Sequence, residues 1–180
     1  MIHDSSNWKK PLVRSAKWLE NLLITHEPSE RKLARAEREI FVGFYAIRKL
    51  RETFKLTNTT KLLTYNLIFF NAVNNANPDY FNRHDFEKHY DLNTEKSQPC
   101  DIGFICNQVI HSFIFVFSLN HDGNIDGIYL SSDRMKRSKI YFVPLTIVIH
   151  IFRTIGHDYP SGLHLERNRE TGQWTDIRSK

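Results

Sequence analysis

Apolar residues recur at helical spacing near the start of the chain. Leu12, Ala16, Leu19 and Leu23 fall three or four positions apart, which places them on one face of a helix. Pro11 stands just before them and suits an early helical position. The sequence His26-Glu27-Pro28 then disfavours continued helix, because the residue before a proline avoids the helical region. The pattern therefore predicts a first helix that ends before Pro28.

A longer amphipathic helix is predicted from about Ser29 to Phe54. Its basic side chains fall on the opposite face, and Glu39 and Glu52 stand four residues after Arg35 and Arg48, a spacing that supports a helix in water. We therefore interpret most of this basic charge as a solvated helix face. The apolar stripe comprises Leu33, Ala36, Ile40, Phe44, Ile47 and Phe54.

The middle of the chain alternates between apolar runs and polar breaks. The patterns predict a strand over 61–70, a loop over 71–78, a short helix over 83–90 capped by Asn82, an irregular segment over 91–98 and a helix over about 100–111. The loop prediction rests on four asparagines and a proline. The cap prediction rests on the preference of asparagine for helix N-termini.

The strongest local signal is a β-hairpin. Two aromatic or β-branched runs, 112–119 and 125–131, flank an Asp122-Gly123 turn, and Asp-Gly between such runs is typical of a hairpin. Lys139–Val143 is a third predicted strand. Leu145–Ile155 is compatible with helix or strand, and its length, the proline before it and the glycine after it favour a helix.

These elements together predict an α+β fold: N-terminal helices, then an antiparallel sheet of three or four strands with a β-hairpin and a closing helix. We expect a single domain of 180 residues. Within it we distinguish a helical arm at 1–28, a core at 29–160 and a polar tail at 161–180. The tail holds two short apolar runs, 163–166 and 173–177, that could form a small hairpin.

Charge and cysteine content indicate the cellular compartment in which the protein is expected. The net charge of +5 combines +5 over residues 1–60, −4 over residues 61–130 and +4 over residues 131–180. Two cysteines, Cys100 and Cys106, are too few for a disulfide framework and suit a reducing compartment. The chain begins without a secretory pattern and contains no apolar run long enough to span a membrane. We therefore expect a cytoplasmic protein without a membrane partner.

Arg83 and His84 are the first candidate site residues. An arginine can bind a phosphate or carboxylate with two parallel hydrogen bonds, and a histidine can transfer a proton near neutral pH. The alternative is an ordinary polar surface on a short helix.

Asn107 and His111 are the second candidates, four residues apart on one predicted helix face. His111 would act as a general acid or base that Asn107 orients. The alternative is a hydrogen-bond network that fixes a loop.

Ser132, Asp133 and Arg134 are the third candidates, at the end of a predicted strand. Serine and arginine there could bind an anion, and the nearby Lys136, Arg137 and Lys139 could meet a phosphate backbone. The alternative is a turn in which Asp133 accepts hydrogen bonds from nearby amides.

No cofactor or metal site is expected. His150, His157 and His164 are seven residues apart, but Gly156 and Pro160 interrupt any single helix that could align them. The sequence also lacks a phosphate-binding glycine-rich loop, a nucleotide fingerprint and a nucleophile elbow.

Four groups of residues resemble a family of small uncharacterised bacterial proteins with no established activity. They are 82–84 with 90–92, 106–108 with 110–112, 127–128 with 131–134, and Phe152 with Gly156 and 158–160. The resemblance covers about residues 29–160. It implies a bacterial, cytoplasmic setting and assigns no catalytic residues.

Three functions remain open from the sequence. The leading interpretation is a non-enzymatic accessory or interaction protein with a protein partner. The second is a nucleic-acid-binding module that combines basic and aromatic side chains. The third is a metal-independent phosphodiesterase or nuclease, with His84 and His111 as acid and base and with Arg83 and Arg134 stabilising phosphate charge. An uncovered sheet edge would also favour a homodimer.

Overall fold

The computed structural model describes residues 2–162, 164–172 and 174–176. The helices are Ser6–Leu23 (α1), Glu30–Arg51 (α2), Asn58–Lys61 (α3), Ile102–Ile110 (α4) and Leu145–His157 (α5). The strands are Thr64–Asn71 (β1), Lys96–Asp101 (β2), Ser112–Leu119 (β3), Ile125–Ser132 (β4), Lys139–Pro144 (β5), Leu165–Arg167 (β6) and Trp174–Asp176 (β7). The predicted α+β fold is confirmed.

Five strands form one antiparallel sheet in the order β2-β1-β5-β4-β3. The sequence predicted three or four strands, so the count was too low, and the strand it missed is β2. Its residues, Lys96–Asp101, have polar side chains and a proline, which weaken the local strand signal. They are extended because they pair with β1, with Thr64 opposite Asp101 and Phe69 opposite Lys96.

Four helices cover one face of this sheet. Inward-facing residues of β1, β4 and β5, such as Leu67, Leu130 and Tyr141, join the apolar stripes of α1, α2, α4 and α5 in one core. α1 packs along α5, where Gly156 allows close approach to Val13. Since Leu12 is buried in the same core, α1 contributes to the folding of the sheet layer.

The opposite face is covered by the irregular segment 72–95. Phe86 and Tyr90 from this segment pack on Phe70, Ile114 and Ile140 of the sheet. Two distant parts of the segment are joined by a hydrogen bond, in which the Val73 N–H donates to the His89 carbonyl at 3.0 Å. This face therefore has a second, smaller apolar cluster.

The predicted helix over 83–90 is wrong, since only Phe86–Lys88 forms a single 3-10 turn. The Asp79 carboxylate accepts the backbone N–H groups of Phe81 and Asn82, and the Asn82 side chain accepts the N–H of Asp79. Short polar side chains that bond to nearby backbone stabilise turns at the expense of helix.

The remaining elements follow the predicted pattern with shifted ends. Gly123, at φ 73°, occupies the left-handed position of the β3–β4 turn. α1 begins earlier than predicted and contains Pro11 within it. β6 and β7 pair in the polar tail, while residues 163, 173 and 177 of the predicted tail hairpin lie outside the described residues. No described helix is long and apolar enough to cross a membrane.

Candidate functional site

The site is built where α4 ends and β3 begins. The Asp101 side chain caps α4 by accepting the Phe104 N–H at 2.7 Å, which fixes the start of the helix. At the other end, the carbonyl of His111 accepts the N–H of Asp133 at 3.0 Å. This bond ties the end of α4 to the turn between β4 and β5.

A cleft of about 530 Å³ opens at this junction. Four of the predicted site residues, Asn107, His111, Ser132 and Arg134, line it together. Ser132 is buried and its N–H donates to Gln108 Oε1 at 3.1 Å, so its backbone is held by α4. The remaining lining residues are Phe104, Gln108 and Met135. We call this the α4 cleft.

His111 is held by an arginine that sequence reasoning assigned to a solvated helix face. Arg48 Nη1 lies 3.1 Å from His111 Nε2. Since a guanidinium only donates, Nε2 accepts, and its lone pair is occupied. Arg48 also lies 3.8 Å from the Glu52 carboxylate. A general base needs that lone pair free, so this arrangement favours binding over proton transfer.

Asp133 is exposed and does not line the α4 cleft. Its carboxylate forms an ion pair with Lys136 Nζ at 2.8 Å. The same ammonium lies 3.6 Å from the ring centroid of Phe113. Asp133 and Phe113 together hold Lys136 in place, and the Lys136 carbonyl also accepts the Tyr90 hydroxyl at 2.6 Å.

Arg83 and His84 line a different, smaller cleft of about 210 Å³ beside β3. We call it the β3 groove. His84 is largely exposed, and its Nε2 lies 3.5 Å from the Asp85 carboxylate. The two predicted catalytic histidines, His84 and His111, therefore line separate clefts.

Phe113, which lines the β3 groove, belongs to a line of ring and cation contacts. The Arg83 guanidinium lies 5.8 Å from the Phe113 centroid and 4.7 Å from the Tyr80 centroid. The rings of Tyr80 and Phe81 then meet edge to face at 5.7 Å. Two adjacent rings, a cation, a third ring and a second cation therefore follow one another. We call Phe81, Tyr80, Arg83, Phe113 and Lys136 the Phe113 row.

The aromatic end of this row faces solvent. Tyr80 is 69% exposed and Phe81 is 84% exposed. Large apolar side chains at such exposure, in a group beside a cation, are typical of a binding surface. The Asp79–Asn82 turn holds both residues outward.

Sequence reasoning missed the aromatic half of the site and Arg48. Two adjacent aromatic residues in an otherwise polar loop, three positions before Arg83, were an available signal for Tyr80 and Phe81. Phe113 gave no separate signal, because it reads as one more apolar residue of a strand. Arg48 gave none because it also pairs with Glu52.

Burial makes the Cys106 thiol of α4 a poor nucleophile. It raises the pKa of Cys106 to about 12, against the opposing charge of Arg51 and Arg48. A thiol in that state is not a nucleophile at neutral pH. Among the described residues, no three His, Cys, Asp or Glu side chains are grouped to hold a metal ion.

Comparison with protein-family models, with curated proteins and with solved structures found no match. The resemblance to small bacterial proteins therefore stays a prediction. The function has to be argued from the α4 cleft and the Phe113 row themselves.

Proposed function

We propose that this is a non-enzymatic, cytoplasmic protein that binds single-stranded nucleic acid. The observation that carries the proposal is the exposed end of the Phe113 row, where the rings of Tyr80 and Phe81 lie beside the Arg83 guanidinium. Single-stranded nucleic acids offer flat bases and phosphates side by side. Proteins bind them by stacking bases on aromatic rings and by pairing phosphates with basic side chains.

Each part of the surface has a role in this proposal. Tyr80 and Phe81 offer ring faces to unstacked bases, and Arg83 offers its planar guanidinium to a phosphate. Lys136 is largely buried and already paired with Asp133, so it orders the row. The α4 cleft continues the basic surface with Arg134, which is exposed.

The carboxylates around this surface are mostly engaged. The Asp79 side chain bonds to the backbone of Phe81 and Asn82. The hydrogen bond from Lys88 holds the pKa of Asp85 below its usual range, and their charged atoms are 2.6 Å apart. Arg83 is the exposed arginine at this end of the row, and Glu37 is the carboxylate that lines the β3 groove with it.

Two features favour binding over catalysis. His84 and His111 line separate clefts, and the Nε2 lone pair of His111 is occupied by Arg48. A phosphodiesterase that uses two histidines needs both within reach of one phosphate. The nuclease alternative is tested by incubating labelled RNA with the protein and with His111→Ala, and we expect no cleavage by either.

The direct test is fluorescence anisotropy with labelled single-stranded RNA, single-stranded DNA and duplex at two salt concentrations. We expect salt-dependent binding of the single strands and weaker binding of the duplex. Arg83→Gln should weaken binding and lower the salt slope by about one. Its matched control is Arg153→Gln on α5, an arginine paired with Glu20.

Stacking is tested separately with Phe81→Ala. Loss of one stacking ring costs about 1–3 kcal/mol per base, so we expect binding to weaken about fivefold or more. Tyr45→Ala, at another exposed ring on α2, is the control. Binding that is absent, or that all four variants change equally, would contradict the proposal.

A further inference from the structure

The strand β3 lies at one end of the sheet and is paired on one side only. Its register partners all belong to β4, from Ser112 opposite Ser132 to Leu119 opposite Ile125. Within the described part of the chain, no strand pairs with its other side. Such an edge presents a row of N–H and C=O groups that can pair with another strand.

The two edges of the sheet differ in how they are protected. β2, at the opposite edge, carries Lys96, Pro99 and Asp101. Charged residues and proline are the means by which natural sheets discourage pairing at an edge. β3 has the sequence SFIFVFSL, with neither a charge nor a proline over eight residues. It lacks the protection that β2 has.

The β3 groove runs along part of this edge. Glu37 and Phe41 of α2 form one wall, and Arg83 and His84 form the other. Phe41 also packs on Phe115 of β3 at 5.0 Å between ring centroids. The groove follows residues 112–116 along the strand.

Charge differs between the two ends of β3. Near its start lie Arg48, which contacts His111 and pairs with Glu52, and Arg83, which shares the groove with Glu37. Beyond its end, the β3–β4 turn carries exposed Asp122, and the Glu27 N–H donates to the Gly123 carbonyl at 3.0 Å. The end of the strand is therefore acidic, whereas its start carries both arginines and carboxylates.

We propose that a second copy of this chain pairs its β3 with this edge in the antiparallel direction, so that the two five-stranded sheets become one. A two-fold axis then brings Arg83, near the start of each strand, towards the acidic turn of its partner. Parallel pairing would bring the two acidic turns together. The uncharged middle of each strand supplies backbone hydrogen bonds and phenylalanine contacts.

The test uses two serines on the same face of the sheet and at opposite edges. Ser118 of β3 pairs with Gly127, and Ser97 of β2 pairs with Ile68. We expect the protein to sediment as a dimer at micromolar concentration. Ser118→Lys, on the same face as Arg83 of the partner subunit, should weaken dimerisation about tenfold or more. Ser97→Lys should leave it unchanged.

Ser118→Glu tests whether the two β3 strands pair in the antiparallel direction. Its carboxylate would lie on the same face of the sheet as Arg83 of the partner subunit, so it should weaken dimerisation less than Ser118→Lys does. Equal losses for the lysine and glutamate variants would overturn the antiparallel arrangement. Equal losses for Ser118→Lys and Ser97→Lys would overturn the choice of edge.

Hydrogen exchange of the unmodified protein tests the same proposal without a substitution. We expect the amides of β3 to become more protected as protein concentration rises, while those of β2 do not change. A protein that stays monomeric at high micromolar concentration, with β3 exchange independent of concentration, would overturn the proposal. Arg83 and Phe113 belong both to this groove and to the Phe113 row, but neither measurement involves nucleic acid, so failure of this proposal and failure of the proposed function are distinguishable.

Discussion

The two faces of the five-stranded sheet are covered by different kinds of structure. Four helices bury one face in a large core. The other face is covered by the segment 72–95, which contributes Phe86 and Tyr90 to a much smaller cluster. The proposed nucleic-acid surface lies beside this smaller cluster, where Phe113 belongs.

The difference shows why the site lies where it does. A helix satisfies its own backbone hydrogen bonds, so its side chains can all serve packing. An irregular segment must find partners for its backbone, as when the Asp91 N–H donates to the Asn71 carbonyl. Such a segment closes the sheet with a few side chains and leaves others, including Tyr80 and Phe81, at the surface.

The sharpest test of this comparison substitutes one phenylalanine in each region. Phe152→Ala in α5 removes a fully buried ring that packs edge to face on Phe44 at 5.4 Å, and should cost about 3–5 kcal/mol of unfolding free energy. Phe81→Ala should change it by less than about 0.5 kcal/mol. Urea denaturation measures both. Similar losses would mean that Phe81 has a packing role.

Two buried phenols, one on each face, allow the faces to be compared by how the free energy of unfolding changes at alkaline pH. Burial raises the pKa of Tyr141, on the helical side, and of Tyr90, on the other side, from 10.0 to about 12. Between these values the phenols are protonated when folded and ionised when unfolded. Unfolding then releases protons, so stability falls as pH rises, by up to about 3 kcal/mol for each phenol.

Tyr141→Phe and Tyr90→Phe should each flatten this fall, as measured by urea denaturation across the alkaline range. The difference in phenolate absorbance between the unmodified protein and each folded variant isolates the substituted phenol among the seven tyrosines. If Tyr90 ionises near pH 10 while Tyr141 does not, the segment 72–95 opens to solvent before the helical side does. Both phenols ionising near 12 would show that the two faces are equally closed.

The smallest expected effect comes from single hydroxyl groups at neutral pH. Tyr90→Phe removes the hydrogen bond to the Lys136 carbonyl and should cost about 1 kcal/mol. Tyr65→Phe is the matched control, because its hydroxyl is buried without a hydrogen-bond partner among the described residues. We expect that variant to be neutral or slightly more stable. A larger loss for Tyr65→Phe would contradict this assignment of partners.

The site was only half predictable. Asn107 and His111 stand on one helical turn, so their proximity follows from local structure. Ser132 and Arg134 join them because β4 pairs with β3 and its end returns to α4, as the Ser132 bond to Gln108 shows. The sequence indicated that each group could carry chemistry. It could not indicate that Arg83 would lie in a different cleft from Asn107 and His111, beside Phe113.

Local interactions determined the elements that the sequence predicted. Apolar spacing is sufficient for α2 and α5, and Asp122-Gly123 is sufficient for the hairpin turn, because each depends on neighbours a few residues away. The tertiary structure decided the rest. β2 is a strand because β1 offers it an edge, and the Phe113 row exists because the segment 72–95 and the β4–β5 turn fold against β3, which brings residues 80–83, 113 and 136 together. Pairings between distant segments depend on the whole fold, and no short stretch of sequence encodes them.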